Sequence, residues 1–364
     1  MKPKVIALYL PQYYPFPEND EWWGKGFTEW TNVGKAKPMF KGHYQPKVPA
    51  DLGYYDLRLP IIREQQAELA KEAGIFGFCY WHYWFGNGKR LMWEVFDEVL
   101  NSGKPNFPFC LGWANHSWYA KNWNIDGTTG KDRLLIEQQY LGEEDYQLHF
   151  DYVLRAFKDE RYIKIDGKPI FSIYDSHALP DDFIPTWNKW AIEAGIENGI
   201  YFIANIWYNE DENLYLDKGY SAVIKGRLRS YYKSNIVNNV WGHLREYVNI
   251  HLFRRFGHIP DYKNVIDSLV DEKDDAKECV IPTLIPNFDH SPRSGRFGLV
   301  YNNSTPELFG KHVEKALRTV ENKKEPIIFL RSWNEWGEGN YMEPDLRFGK
   351  GYIQVLKKCL EQYE

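Results

Sequence analysis

Eight short apolar runs recur along the chain, and between most of them lie segments whose apolar residues return every three or four positions. The runs are Val5 to Leu10, Gly77 to Tyr83, Phe107 to Ala114, Pro169 to Tyr174, Tyr201 to Ile206, Ala222 to Lys225, Val280 to Pro286 and Pro326 to Trp333. Most are rich in β-branched or aromatic residues and bounded by Gly, Pro or Asn, as strands buried on both faces tend to be. The amphipathic stretches Ile61 to Ala73, Met92 to Leu100, Asp145 to Phe157, Asp181 to Ala194 and Pro306 to Val320 fit helices lying on a sheet. Strand followed by helix, repeated, predicts an α/β chain closed as a parallel (β/α)8 TIM barrel rather than a doubly wound open sheet.

A barrel with extended loops absorbs all 364 residues, so 1–364 reads as one domain. Residues from about 228 to 276 fit the alternation least well. They place Tyr231, Tyr232, Trp241, Tyr247, Phe253 and Phe256 among Arg245, Arg254 and Arg255, followed by the mainly acidic segment Asp271 to Asp275. A helical excursion after strand six, with a solvated charged face, is the plainer reading of this stretch; a specific partner surface is the other.

No window approaches the roughly 20 apolar residues of a membrane helix, so no integral membrane segment is expected. A net charge of −5 provides no broad cationic field for nucleic acid. Cys79, Cys110, Cys279 and Cys359 lack C-x-x-C spacing and read as small core residues. The apolar run Val5 to Leu10 is too short for a signal-peptide core, and with no disulfide framework the expected compartment is the cytoplasm.

Active sites of such barrels lie at the C-terminal ends of the strands, and here those ends are alike in type. Strand one ends in Tyr9 and Gln12, strand two in Trp81, His82 and Tyr83, and strand three in Trp113, Asn115, His116 and Trp118. Strand four ends in Tyr174 and Asp175, strand five in Asn205 and Trp207, and strand seven in Asp289 and His290. Strand eight runs into Trp333-Asn334-Glu335-Trp336-Gly337-Glu338-Gly339, and the loop after strand one carries Glu29 and Trp30. Aromatic residues make up 17% of the chain, including 15 Trp and 26 Tyr. For any one of them core packing is as good an explanation as ligand contact. As a set, strand ends rich in Asn, His, Asp and Glu need hydrogen-bond partners, and a sugar supplies hydroxyls to pair them and C–H faces to stack on.

Breaking or transferring a glycosidic bond needs two carboxyl groups, one to donate a proton and one to act as base or nucleophile. Glu335 and Glu338 are the candidates, with Gly337 and Gly339 allowing a sharp turn beside them. A solvent-exposed loop with two idle acids is the bland alternative. Asp175, Asp289 and Glu29 are reserve acids or hydroxyl-binding groups, and each is as easily a structural ion pair or cap. His82, His116 and His290 show neither H-E-x-x-H nor His-x-His spacing, and no phosphate-cradling glycine motif is present. No metal and no cofactor are therefore expected.

At these residues the chain resembles the WbsX group of bacterial polysaccharide and lipopolysaccharide biosynthesis proteins, which is similar to glycoside hydrolase family 99. The likeness rests on Ala7 to Tyr13, Gly26 to Val33, His43 to Pro46, Gly77 to Trp84, Trp113 to Asn115 and Trp333 to Gly339, and runs almost the full length. It implies a (β/α)8 barrel and retaining, metal-independent, endo-acting cleavage of α-mannosidic linkages. It also implies that Glu335 acts as base on the sugar's own 2-hydroxyl, giving a 1,2-anhydro intermediate, and that Glu338 is the general acid/base. The group's usual label is glycosyltransferase for lipopolysaccharide O-antigen, although the chain contains no D-x-D. The expected function is a glycoside hydrolase or transglycosylase acting on an oligosaccharide or polysaccharide; a glycosyltransferase or a non-catalytic glycan-binding protein is the alternative.

Overall fold

The computed structural model describes residues 2–120, 132–231, 244, 247–253, 255–256 and 259–363. Eight parallel strands form its central sheet: β1 (Lys4–Tyr9), β2 (Gly77–His82), β3 (Phe109–Trp113), β4 (Lys168–Ile173), β5 (Tyr201–Trp207), β6 (Ala222–Gly226), β7 (Thr283–Leu284) and β8 (Ile327–Leu330). Neighbours pair in chain order from β1 to β6, while β8 lies between β7 and β1. A parallel bridge between Val223 of β6 and Val280 closes the ring. There the Val223 N–H donates to the Cys279 carbonyl and the Ile281 N–H to the Val223 carbonyl, both at 2.8 Å. The chain is a (β/α)8 barrel, as the alternation predicts.

Strand limits differ from the expected ones where proline removes a donor. Pro108 lacks an N–H, so β3 starts at Phe109 rather than Phe107. Pro282 and Pro286 flank β7 and cut the expected run Val280 to Pro286 to a two-residue ladder.

The helix Pro306–Val320 matches its expected span. Thr305 caps it by accepting from the Leu308 N–H at 3.3 Å, and Phe309, Val313, Ala316, Leu317 and Val320 face the core. The helix Gly351–Glu361 has no counterpart among the expected elements, although Tyr352, Ile353, Leu356 and Leu360 carry the right period. It packs closely on the first: a Cβ on Gly310 would fall 2.8 Å from Val355.

Side chains alternate along each strand. Tyr9 reaches Gln66 in the helix Pro60–Glu72, Tyr80 meets Phe96 in the helix Trp93–Ser102, and His82 meets His149 in the helix Glu143–Phe157. Cys79 and Trp81 point the opposite way, into the barrel, where bare Gly112 leaves room for the Trp81 ring at 3.1 Å from the position of a Cβ.

Within the expected excursion, Tyr232, Trp241, Arg245 and Arg254 lie outside the described residues. The described parts include a single π-turn, Val248–Leu252, and the helix Tyr262–Leu269, whose Tyr262, Val265, Ile266 and Leu269 pack on Ile285 and Phe288 beside the barrel. In the acidic segment Asp271 to Asp275, Asp271, Glu272 and Lys273 are exposed as expected of a solvated face, but its last two residues are not. Asp275 is 1% exposed and accepts from Arg227 at 2.9 Å, while Asp274 meets Arg227 at 2.8 Å and Lys225 at 3.0 Å. Glu212 also reaches Lys225, at 2.8 Å. The two basic residues at the end of β6 supply the counter-charges, so the end of the segment is drawn down onto the barrel. No described helix is long and apolar enough to cross a membrane.

Removing one partner of a buried charge cluster leaves the others uncompensated, at a cost of about 3–5 kcal/mol. Arg227→Met is expected to lower the unfolding free energy by that amount. The exposed Lys71 and Glu68 pair sets the contrast, and Lys71→Met is expected to cost under about 1 kcal/mol. Equal, small losses in urea denaturation would show that the cluster is screened by water.

Candidate active site

β8 stops at Leu330, and the chain then crosses the mouth of the barrel held by long-range bonds. The Trp333 N–H donates to the Leu8 carbonyl at 2.7 Å. The Asn334 side chain imitates a neighbouring strand: its Oδ1 accepts from the Leu10 N–H at 2.8 Å and its Nδ2 donates to the Leu10 carbonyl at 2.9 Å. The Tyr13 hydroxyl donates to the Asn334 carbonyl at 2.5 Å and accepts from the Trp336 N–H at 3.0 Å, so Glu335 is clamped on both sides. Trp336 stacks on Tyr341 with centroids 3.7 Å apart and donates to the buried Glu343 at 2.7 Å. Tyr55 and Gln66 also donate to Glu343, at 2.9 and 2.7 Å.

A single turn, Trp336–Glu338, then brings the second acid round. Gly337 is required there, because a Cβ would fall on the Glu29 carboxylate. Gly339 ends the turn in the left-handed region, φ +55°, with its carbonyl accepting from buried Lys47 at 3.1 Å.

Three carboxyl groups meet at one guanidinium. Nε of Arg293 donates to Glu29 at 3.0 Å, and its Nη1 donates to Glu335 at 3.1 Å and to Glu338 at 2.8 Å. Since both bonds end on one nitrogen, the two Oε1 atoms are no further apart than the sum of those lengths, about 5.9 Å. Glu338 also has Arg331 and His290 beside it, each at 3.7 Å. Burial pushes the Glu335 carboxyl up to about 7, with the Glu338 charge adding to the effect. Burial acts on Glu338 as well, but Arg293, Arg331 and His290 outweigh it and hold that carboxyl below the usual glutamate range. Two acids three residues apart thus have opposite proton affinities.

Both face an open cleft of about 590 Å³. Of the residues expected at the site, Gln12, Glu29, Trp81, Tyr83, Trp118, Tyr174, His290, Glu335 and Glu338 line it. Sequence reasoning missed Arg293 and Arg331, and also Trp23, Asn32, Lys35 and Tyr119 on the same walls. His116, named above at the end of strand three, lines it too. Arg331 was legible, since it stands at the end of the eighth apolar run. Arg293 lies in a loop helix, Ser291–Ser294, and nothing local marks it.

The other expected residues are elsewhere. Tyr9, His82 and Trp113 face the helix layer; Trp113 donates to the Trp84 carbonyl at 3.0 Å and packs on Phe183. Trp333 is fully buried against Phe78. Trp336 and Asn334 build the loop from behind, and Trp30 donates to the Tyr55 carbonyl at 2.7 Å.

The polar strand ends find their partners in backbone and in neighbouring side chains. Asn115 brackets both the N–H and the carbonyl of Asp175 at 2.8 Å, and Asn205 donates to the Ile173 carbonyl at 2.8 Å. Asp289 accepts from His43 at 2.8 Å, Gln45 at 2.7 Å and the Ser291 N–H at 3.0 Å. Asp175 lies at the rim beside His177, and Trp207 is 60% exposed outside the cleft. The expectation that these groups need a sugar to satisfy them is corrected: backbone does so for Asn115 and Asn205, and the His43 and Gln45 side chains with the Ser291 N–H do so for Asp289. Among the described residues, no group of three or more His, Cys, Asp or Glu has the arrangement to hold a metal ion.

A family model described as Glycosyltransferase WbsX matches residues 5–356. Uncharacterized protein WxcX of Xanthomonas campestris pv. campestris is 32% identical over 364 residues, covering 98% of this chain and 49% of the relative. The chain therefore spans about half the length of the curated relatives it matches. A solved glycoside hydrolase family 99 endo-alpha-mannosidase from Bacteroides thetaiotaomicron is similar in fold, with TM-score 0.54 and 15% identity, covering 99% of this chain and 97% of that one. A glycoside hydrolase-like protein reaches TM-score 0.60 at 16% identity, covering 99% and 94%.

Arg293→Met removes the largest force holding Glu338 ionised. The Glu338 carboxyl is expected to titrate at higher pH in this variant than in the parent, followed by NMR of 13C-labelled glutamate and assigned with Glu338→Gln. An unmoved midpoint would mean that Arg293 does not govern the pair.

Proposed function

The chain belongs to the WbsX glycosyltransferase family, and on that premise we propose that it is a carbohydrate-active enzyme that breaks or transfers a glycosidic bond between Glu335 and Glu338. The observation that carries this reading is the divergence of the two carboxyls in an open, aromatic-walled cleft. Burial raises the one to about 7 while neighbouring cations lower the other, which is the divergence a donor and a base facing one bond require. Trp81, Tyr83, Trp118 and Tyr174 offer flat faces on which sugar C–H groups stack.

Separation supports a retaining outcome. Carboxyl pairs of inverting enzymes stand roughly 6.5–9.5 Å apart and those of retaining enzymes about 5–5.5 Å, and the shared nitrogen keeps the two Oε1 atoms of this pair within about 5.9 Å of each other. The division of labour proposed from the electrostatics is Glu335 as the initial proton donor and Glu338 as base. That reverses the roles the family resemblance implies, and the reason is the crowding of Arg293, Arg331 and His290 around Glu338. An α-mannoside-like linkage within a cell-surface glycan is the first substrate class to try, given what the Bacteroides protein of similar fold acts on. A transferase using a nucleotide sugar is the second reading, favoured by the family's name; calorimetry with nucleoside diphosphates and nucleotide sugars tests it, and no binding counts against it.

With Glu335 required protonated and Glu338 ionised, kcat/KM is expected to fall as pH rises past about 7, and to fall again in acid as Glu338 takes up a proton. Glu335→Gln and Glu338→Gln are each expected to lower turnover by about 10²–10⁴-fold. An aryl glycoside with a strongly acidic phenol needs no proton donor, so it should rescue the Glu335 variant and not the Glu338 variant. Rescue of the Glu338 variant alone would restore the opposite assignment, and wild-type turnover by both variants would end the catalytic reading.

A further inference from the structure

Arg331 follows β8 directly and turns its guanidinium into the cleft, 30% exposed. Its one ion pair among the described residues is with Glu338 at 3.7 Å, longer than a hydrogen bond. A guanidinium carries five N–H donors in a planar fork, and Arg331 presents its fork to the open cleft. Arg293, by contrast, spends its donors on Glu29, Glu335 and Glu338.

The charge count points the same way. Arg293, Arg331 and Lys35 line the cleft against the carboxyl groups of Glu29, Glu335 and Glu338, and burial raises Glu335 to about 7, so that it carries only part of a negative charge at neutral pH. Three cations thus face two carboxylates and part of a third. The hydroxyls of a neutral sugar accept weakly, whereas an oxyanion meets a guanidinium through two parallel charge-assisted bonds. Tyr174 and Trp81, in edge contact with centroids 5.7 Å apart, line the same cleft and offer a sugar ring a surface beside that charge.

We propose that the glycan bound in this cleft carries an oxyanion substituent, a carboxylate or a phosphate, gripped by Arg331 with Arg293 and Lys35 strengthening the field. The proposal rests on the cleft being the glycan site and names the class of sugar it takes. Arg331 is then a specificity-determining residue as well as a neighbour of Glu338.

Calorimetric titration of the whole chain with six compounds tests it: methyl mannoside and methyl glucoside, their 6-carboxylate forms, and the two sugar 1-phosphates. At least one charged compound is expected to bind ten-fold or more tightly than its neutral parent. Which form does so separates a uronic acid from a sugar phosphate. Arg331→Gln should remove that preference, and Arg331→Lys should restore part of it. Equal binding of charged and neutral forms by the wild type overturns the proposal, as does failure of all six to bind, and neither result depends on how the variants fold. It is also overturned if Arg331→Gln moves only the titration of Glu338, since the guanidinium then serves the acid alone. Charge-blind binding with Glu335- and Glu338-dependent turnover sinks the oxyanion site and leaves the catalytic reading intact. Selective binding with turnover indifferent to both acids does the reverse.

Discussion

One guanidinium sets the chemistry of the cleft. Two carboxylates within about 6 Å repel by roughly 3 kcal/mol at an effective dielectric of 20, and Glu29 adds a third acid on the far side of Arg293. Without a cation between them, burial would favour the protonated form of both Glu335 and Glu338. Arg293 sits nearer Glu338 than Glu335, and Arg331 and His290 reinforce only the Glu338 side among the ion pairs. The asymmetry of cations, rather than any difference between two glutamates, separates their proton affinities.

Holding that arrangement requires a rigid support, and most of the loop's bonds point away from the cleft. Asn334 copies a strand edge against Leu10, Tyr13 bridges two loop amide units, and Glu343 collects Tyr55, Gln66 and Trp336 behind them. Asp289 reaches the same turn from β7, its N–H donating to the Glu338 carbonyl at 2.6 Å. These side chains act on the position of the two carboxyl groups through the backbone they fix. Their polarity at strand ends reflects the need of an irregular loop, crossing a barrel mouth, to satisfy its amides.

The same principle explains why the rim was only partly legible. Tyr9, His82 and Trp113 have the composition of a sugar site, yet each occupies the outward phase of its strand and belongs to the helix layer. A strand-end Asn is equally suited to a hydroxyl and to a backbone amide, and Asn115 and Asn205 took the amide. Trp81, Tyr83 and Tyr174 read correctly as cleft residues because the alternation left them facing inward.

What the sequence by itself determined is local. Apolar period, proline positions and capping residues decide strands and helices, and W-N-E-W-G-E-G after an apolar run marks where two acids turn together. What only the tertiary structure decided is the company those acids keep. Arg293 stands 264 residues from Glu29, and Leu10 lies 324 from Asn334. No pattern in a window of a few turns records which distant charge arrives beside a carboxyl. Proton affinity depends on that charge and on the exclusion of water, so it exists only once the barrel has closed.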